Sequence, residues 1–313
     1  MAVEMKNALI TGGAGFIGSH IAEELVARGC RVTVIDNLAT GHVENLDGIR
    51  DKITFIKGDI RDEELMASVT EGCDVVFHQA AVVSVTKTVA EPVSSSDVND
   101  MGALKVLDAA RRSKVKRVVL ASSSAVYGDD PQLPKVESMV PKPLSPYAVQ
   151  KFTNELYAGL YYQLYGLETV CLRYFNVYGP RQDPSSPYSG VISIFMQRAA
   201  GKEAPTIYGD GNQTRDFVFV KDVAQANLLV AGTEDAPGRV FNVGTGQAIS
   251  VNELWRQIAA LNQFEAAPGY ADARSGDIVH SLASIQSAKE LLGFQPAVSL
   301  SEGLSQTFVW YQK

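Results

Sequence analysis

Cysteine, histidine, long apolar runs and positive charge are all scarce in this chain, and each scarcity closes off a class of protein. The three cysteines, Cys30, Cys73 and Cys171, stand apart and in or beside apparent strands. They suit buried reduced thiols better than a disulfide framework or a zinc site. Of the four histidines, His78 follows an apolar run with no second ligand at metal spacing, so it reads as a packed, hydrogen-bonded side chain and no metal is expected. Mainly apolar stretches such as 73–77 and 115–121 are short and interrupted by Asp74, Lys116 and Arg117, far from the ~20 apolar residues that cross a bilayer. Residues 1–6 form a brief polar lead without the apolar core or cleavage site of a signal peptide, so a cytoplasmic protein is expected, with no membrane partner. Lysine and arginine total 28 against 35 acidic residues, a net charge of −7. No global basic surface awaits nucleic acid, and an anionic ligand must rely on local arginines and helix ends.

What the chain does have is length and order. Its 313 residues, 46% hydrophobic, can bury a large core. Short β-branched runs at 8–11, 31–36, 53–56 and 74–77 alternate with amphipathic segments at 16–28 and 62–69. The alternation continues through a helix at 98–112, a strand at 117–121, a helix at 146–165 and a strand at 169–173. Continuous apolar strands separated by helices imply an α/β fold, a doubly wound parallel sheet of the Rossmann kind. After Tyr174 the texture shifts to Pro, Gly and Asp clusters at 179–187 and 208–212. The expected organisation is a dinucleotide-binding domain over 1–173 and a smaller, partly discontinuous α/β substrate-binding domain over 174–313. Segments near 217–243 are candidates to return to the first, and the two should share a cleft at the C-terminal strand edge.

The segment Thr11-Gly12-Gly13-Ala14-Gly15-Phe16-Ile17-Gly18 holds Gly12-x-x-Gly15-x-x-Gly18 between the first strand and the first helix. Absent side chains let backbone approach a diphosphate, whose charge is favoured by free amides at the helix start. Asp36 ends the second strand 18 residues after Gly18. A carboxylate there can accept both ribose hydroxyls of an adenosine and repels a 2′-phosphate, which favours NAD over NADP. Asp59, after the third strand, is placed to accept from an adenine amino group; a turn or helix cap is an almost equal reading.

Tyr147 and Lys151 share one helical face at i and i+4. The ammonium can stabilise a phenolate, and with a positively charged nicotinamide nearby it would lower a phenol that otherwise ionises near ~10. Tyr147 could then take a hydroxyl proton as hydride leaves carbon. Such a pair is common by chance; its place after a dinucleotide turn and 24 residues after Ser123 gives it weight. Of Ser122, Ser123 and Ser124 at the end of a strand, Ser123 is favoured as the hydroxyl bridging Tyr147 and substrate, and Ser124 as a substrate contact.

With 12–18, Asp36, His78-Gln79-Ala80-Ala81, 122–128 and Tyr147-x-x-x-Lys151 assembled, the chain resembles the extended short-chain dehydrogenase/reductases over nearly its whole length. Through Leu133-Pro134-Lys135-Val136-Glu137, Lys142-Pro143-Leu144-Ser145-Pro146-Tyr147 and Arg173-Tyr174-Phe175-Asn176 it looks closest to NAD-dependent nucleotide-sugar 4-epimerases, particularly bacterial enzymes acting on UDP-N-acetylglucosamine. The resemblance implies further NAD contacts from Phe16, Ile17, Asn37, Ile60, Gln79, Ala80, Ala81, Ser122 and Tyr174, besides Tyr147 and Lys151 themselves. It places Asn176 on the diphosphate, Tyr208 beside the uracil, Arg215 and Arg274 on phosphates and Asp277 on the nucleotide ribose. Two guanidinium forks suit an otherwise acidic protein that must hold phosphate oxygens. Ser84 and Asn99 are similarly placed for sugar and nicotinamide-side contacts, Asn99 reading equally as a loop anchor. Relatives commonly pair through helices near Tyr157, Tyr161, Tyr162 and Tyr165, so a homodimer is expected.

Similar 4,6-dehydratases carry an Asp-Glu pair immediately after the catalytic hydroxyl residue, and decarboxylases a Glu; here those positions hold Ser124 and Ala125. Without a carboxyl group there, loss of water or carbon dioxide has no acid or base, which leaves epimerisation through a 4-keto sugar. Similar epimerases also place a gate residue at Ser281, where a tyrosine restricts the pocket to plain hexoses. The small serine should admit a 2-acetamido group, though small size permits the larger sugar without selecting it. Conversion of UDP-N-acetylglucosamine and UDP-N-acetylgalactosamine is expected, with UDP-glucose or UDP-glucuronate as alternatives. A non-catalytic NAD-binding regulator is disfavoured by the joint presence of Ser123, Tyr147 and Lys151.

Overall fold

Alternation of side chains along each strand builds the fold from the sheet outward. The computed structural model describes residues 5–183, 190–264, 266–273 and 278–312. Strands β1 (Asn7–Thr11), β2 (Arg31–Asp36), β3 (Ile53–Lys57), β4 (Val75–His78), β5 (Arg117–Ser123) and β6 (Glu168–Tyr174) lie parallel, and Arg239–Val243 extends the sheet beyond β6. The order runs from Arg239–Val243 through β6, β5, β4, β1 and β2 to β3. From β1 the chain builds first toward β3 and then, from β4, toward the other edge. The switch between β1 and β4 opens a crevice at the carboxyl ends of the strands, where doubly wound sheets bind ligands.

Six helices of the first half are α1 (Phe16–Ala27), α2 (Glu63–Thr70), α3 (Val85–Ala90), α4 (Pro92–Ser96), α5 (Gly102–Arg112) and α6 (Pro146–Tyr165). Ala8 and Ile10 of β1 and Val119 of β5 join one buried cluster with Ile21 and Leu25 of α1. Leu9, Val118 and Leu120 point the other way, into a cluster with Met66 of α2, Val106 and Leu107 of α5 and Ala158 of α6. Both faces are therefore dry, which is why these strands read as continuous apolar runs.

The segment expected as a single helix over 98–112 is divided. Residues Asp97–Met101 form a wider π-turn before α5, and Asn99 within it is buried and bonded to Val82 of the loop after β4. Single π-turns inside helices frequently mark functional sites. Phe217–Phe219 pairs in parallel with Asn176–Tyr178 in a separate ribbon rather than with the main sheet. That ribbon and the helices Val191–Ala200, Val251–Leu261 and Leu300–Tyr311 enclose a second core containing Phe195, Trp255, Phe219 and Leu304.

Candidate active site

The glycine turn sits at the crevice, and its glycines are there for space. Gly12 has φ +69°, and a Cβ on it would lie 2.7 Å from the backbone nitrogen of Ala80. A Cβ on Gly18 would come within 2.8 Å of the Cα of Gly13. The α1 N-terminus, with Gly15 in the cap position and Phe16 and Ile17 in the first turn, has no side-chain cap. Its first amides are thus left to an outside acceptor, the arrangement a diphosphate needs. Asp36 closes the turn from β2, accepting from the amide of Ala14 at 3.0 Å and that of Leu38 at 2.8 Å. Burial pushes its pKa up while these amides pull it back.

Asp59 accepts from its own neighbourhood: Arg61 donates from Nε at 2.9 Å and Nη2 at 2.8 Å, and Asn37 donates from Nδ2 at 3.0 Å. The Arg61 bonds hold this carboxyl well below the usual range. The carboxylate also accepts from the amide of Arg61 at 2.9 Å, so it organises the turn that begins with buried Ile60. After β4, His78 shares a 2.8 Å hydrogen bond with the hydroxyl of Thr11, which also accepts from Ala80 at 3.3 Å. Ala81 follows in the same loop. The side chain of Gln79 donates to the Tyr174 hydroxyl at 3.1 Å and to Asn227 at 3.2 Å. Thus Gln79 and Tyr174, far apart in sequence, meet beside a third polar group.

Tyr147 lies in the first turn of α6, opposite the end of β5, where the nearby Ser123 hydroxyl favours its ionised form. Lys151, one turn on and only 3% exposed, donates from Nζ to the carbonyl of Ala121 at 2.9 Å, its ammonium 5.8 Å from the Tyr147 ring centroid. Burial pushes Tyr147 up to about 12, with the Ser123 hydroxyl opposing the rise. It also brings Lys151 down to about 8, the carboxylate of Asp100 opposing that fall. The expected lowering of the phenol by the ammonium is not seen: burial raises it and only the Ser123 hydroxyl opposes, so a working base needs further positive charge when the site fills.

Of the neighbouring serines, Ser123 also accepts from Ala125 at 3.2 Å, and Ser124 begins the short 3-10 turn Ser124–Tyr127. Ser122 turns inward and donates to Glu155 at 2.5 Å. Ser84 is the N-cap of α3, its hydroxyl accepting from the Lys87 amide at 3.0 Å. Asn99 acts as a loop anchor: its carbonyl accepts from Val82 at 2.7 Å, and its amide donates to the Val82 carbonyl at 2.9 Å and to Gln150 at 2.7 Å.

On the substrate side, Asn176 and Arg215 are brought together through Asp216, whose backbone carbonyl accepts from Asn176 at 3.1 Å. Arg215 donates to the carbonyls of Thr214 at 2.9 Å and Val279 at 3.1 Å. Ser281, nearly buried at 9% exposure, donates its amide to Thr214 at 3.0 Å. Tyr208 ends the strand Thr206–Tyr208 and is 41% exposed. Arg274 and Asp277 lie outside the described residues.

Three polar residues that the sequence did not flag help to hold this arrangement. Asn227 joins Gln79 and Tyr174; Glu155 joins Ser122; and the carboxylate of Asp216 accepts from the amides of Thr245, Gly246 and Ala283. Asp216 stands next to Arg215, yet its partners lie 29 and more residues onward, where spacing carries no signal.

Comparison with known proteins places the chain in a family. Residues 8–244 match the model of the NAD dependent epimerase/dehydratase family. A UDP-glucose 4-epimerase of Mycolicibacterium smegmatis is 40% identical over 97% of this chain and 98% of its own. A UDP-N-acetylglucosamine 4-epimerase of Methanobrevibacter ruminantium, solved with UDP-N-acetylmuramic acid, is 42% identical and superposes with a TM-score of 0.95 over 99% of both chains. The UDP-glucose 4-epimerase of Thermus thermophilus, solved with NAD, is 39% identical with a TM-score of 0.87 over 98% of this chain and 99% of its own.

Proposed function

The chain belongs to the NAD-dependent epimerase/dehydratase family, and from that premise we propose that it is a UDP-hexose 4-epimerase interconverting UDP-N-acetylglucosamine and UDP-N-acetylgalactosamine. The observation that carries the reading is the meeting of Ser123, Tyr147 and Lys151 at the mouth of the glycine-lined crevice. The 12–18 turn and Asp36 would hold NAD, which would supply a hydride acceptor and donor for C4. Tyr147 takes the O4 proton and later returns it, Ser123 holds the reacting oxygen, and Lys151 supports the phenolate. The flat 4-keto sugar turns between the two transfers, with Asn176, Arg215, Arg274 and Asp277 keeping the nucleotide in place. In this reading 1–173, with returning chain near 217–243, is the cofactor part and 174–313 mainly the sugar-nucleotide part.

Admission of the acetamido sugars rests on Ser281, small and nearly buried beside the Arg215 strand. The UDP-glucose 4-epimerase names among relatives favour the plain hexose as the second reading. One panel separates them: turnover of UDP-N-acetylglucosamine, UDP-glucose and UDP-glucuronate by the wild type and by Ser281→Tyr. The expected result is conversion of both acetamido and plain sugars by the wild type and selective loss of the acetamido activity in the variant, of tenfold or more by analogy with the ~10–200-fold discrimination a pocket wall provides. Equal loss on both sugars would reject Ser281 as the gate. Inactivity of the wild type on every 4-epimerisable UDP-sugar would reject the function.

A further inference from the structure

The catalytic helix is fastened to the sheet by an ion pair that the chemistry above does not use. Glu155 and Arg173 are each 4% exposed at the side chain, and Arg173 donates to Glu155 from Nε at 2.9 Å and from Nη2 at 2.7 Å. The same carboxylate takes the 2.5 Å hydrogen bond from Ser122. Ser122 and Arg173 are register partners on β5 and β6, each immediately before a site residue, Ser123 and Tyr174. One turn earlier on α6, Lys151 grips the carbonyl of Ala121. The helix is therefore held at two successive residues of β5, and the next residue along that strand is Ser123.

The far side of Arg173 leads toward the segment that follows Ser281. Its guanidinium lies 4.7 Å from the Tyr127 ring centroid and donates to the Glu137 carbonyl at 3.3 Å. Tyr127 donates to Asn242 at 2.7 Å, and the amide of Asn242 donates to the Glu137 carboxylate at 2.9 Å. Asn242 also donates to the carbonyls of Lys135 and Ser284, while Lys135 and Ser284 are cross-linked through backbone bonds that include Leu282. One hydrogen-bonded chain thus runs from the back of α6 to the segment immediately after Ser281.

Stability alone gives weak reason for such a pair. Taking two charges out of water costs about what their attraction returns, and apolar residues of similar volume often stabilise as well or better. We propose that Glu155 and Arg173 are positioning residues for epimerisation: through Ser122 they set the Ser123–Tyr147 alignment, and through Glu137 and Asn242 they tie it to the segment 282–284 that follows Ser281. This rests on the reading of Tyr147 as the base.

The test is the double variant Glu155→Met with Arg173→Met, compared with wild type, Ser122→Ala and Tyr147→Phe. Melting temperature, bound NAD per chain, kcat, KM and the pH profile of kcat for UDP-N-acetylglucosamine or UDP-glucose are measured. If the pair positions the site, the double variant keeps its melting temperature and NAD content while kcat falls at least tenfold and KM less than threefold. Ser122→Ala gives a smaller fall of the same kind. Moving the Ser123 hydroxyl, which favours the phenolate, away from Tyr147 shifts the acid limb of kcat to higher pH in both. Among the charged and titratable groups facing this region, His78, Lys151, Asp100 and Tyr174 are left intact. A folded double variant with wild-type kcat overturns the proposal. Should that variant fail to fold, Ser122→Ala decides, and wild-type kcat with an unmoved pH profile overturns it. Undiminished turnover in Tyr147→Phe would instead sink the underlying reading of the base.

Discussion

His78 shows how one residue at the crevice ties stability to pH. It is 2% exposed, and burial together with the Lys151 charge brings its pKa down from 6.5 to about 3. With the folded value below the unfolded one, the unfolded chain takes up the proton first as pH falls. The stability contributed by neutral His78 is complete above pH 6.5 and is lost progressively toward pH 3. Asparagine can keep a hydrogen bond to Thr11 without titrating. His78→Asn should therefore be less stable than wild type at pH 7, with the gap closing by up to about 1.4 kcal/mol per pH unit below 6. Urea unfolding at pH 7, 5.5 and 4.5 measures it, and a gap independent of pH would show that His78 does not titrate on unfolding.

At the scale of the element, α6 explains why some of the site was legible and some was not. Its ends are punctuated: Ser145 accepts from the Ala148 amide at 3.2 Å, Pro146 opens the first turn, and Gly166 closes it at φ 70°. These are local signals, and the helix expected over 146–165 has those bounds. Tyr147 sits in the capped turn, so Ser145→Ala should lower stability by about 1 kcal/mol in urea unfolding. It should also reduce kcat as the turn frays. Unchanged stability would mean that packing alone fixes the turn. The strand runs were equally readable because each is apolar on both faces. The π-turn at Asp97–Met101 was not, since it depends on Asn99 reaching Val82. Nor was the Glu155–Arg173 pair, whose partners come from different elements and whose types alone suggest an ordinary surface helix and strand. The side-chain commitments of Ser84 and Ser122 were likewise invisible, because a serine in a motif does not show which way its hydroxyl turns.

At the scale of the whole molecule, α6 has a second face. Tyr161 is 9% exposed and packs into the sheet-facing core with Tyr157, whereas Tyr162 and Tyr165 remain outside. Outside as well stand Val149, Leu156, Leu160 and Leu164, all on one helical stripe. Exposed Val89 of α3 and Val93 of α4 add apolar surface from the elements before it. A large apolar patch is uncommon on a chain that works alone, and a self-complementary helix face is the usual basis of a two-fold pair. The expected assembly is a homodimer formed across α6. Sedimentation equilibrium should give twice the chain mass for the wild type and the chain mass for Leu156→Glu with Leu160→Glu, whose helical circular dichroism is retained. A wild type that sediments as a single chain would leave this stripe without a second copy to cover it. A double variant that remains dimeric would move the interface to another face.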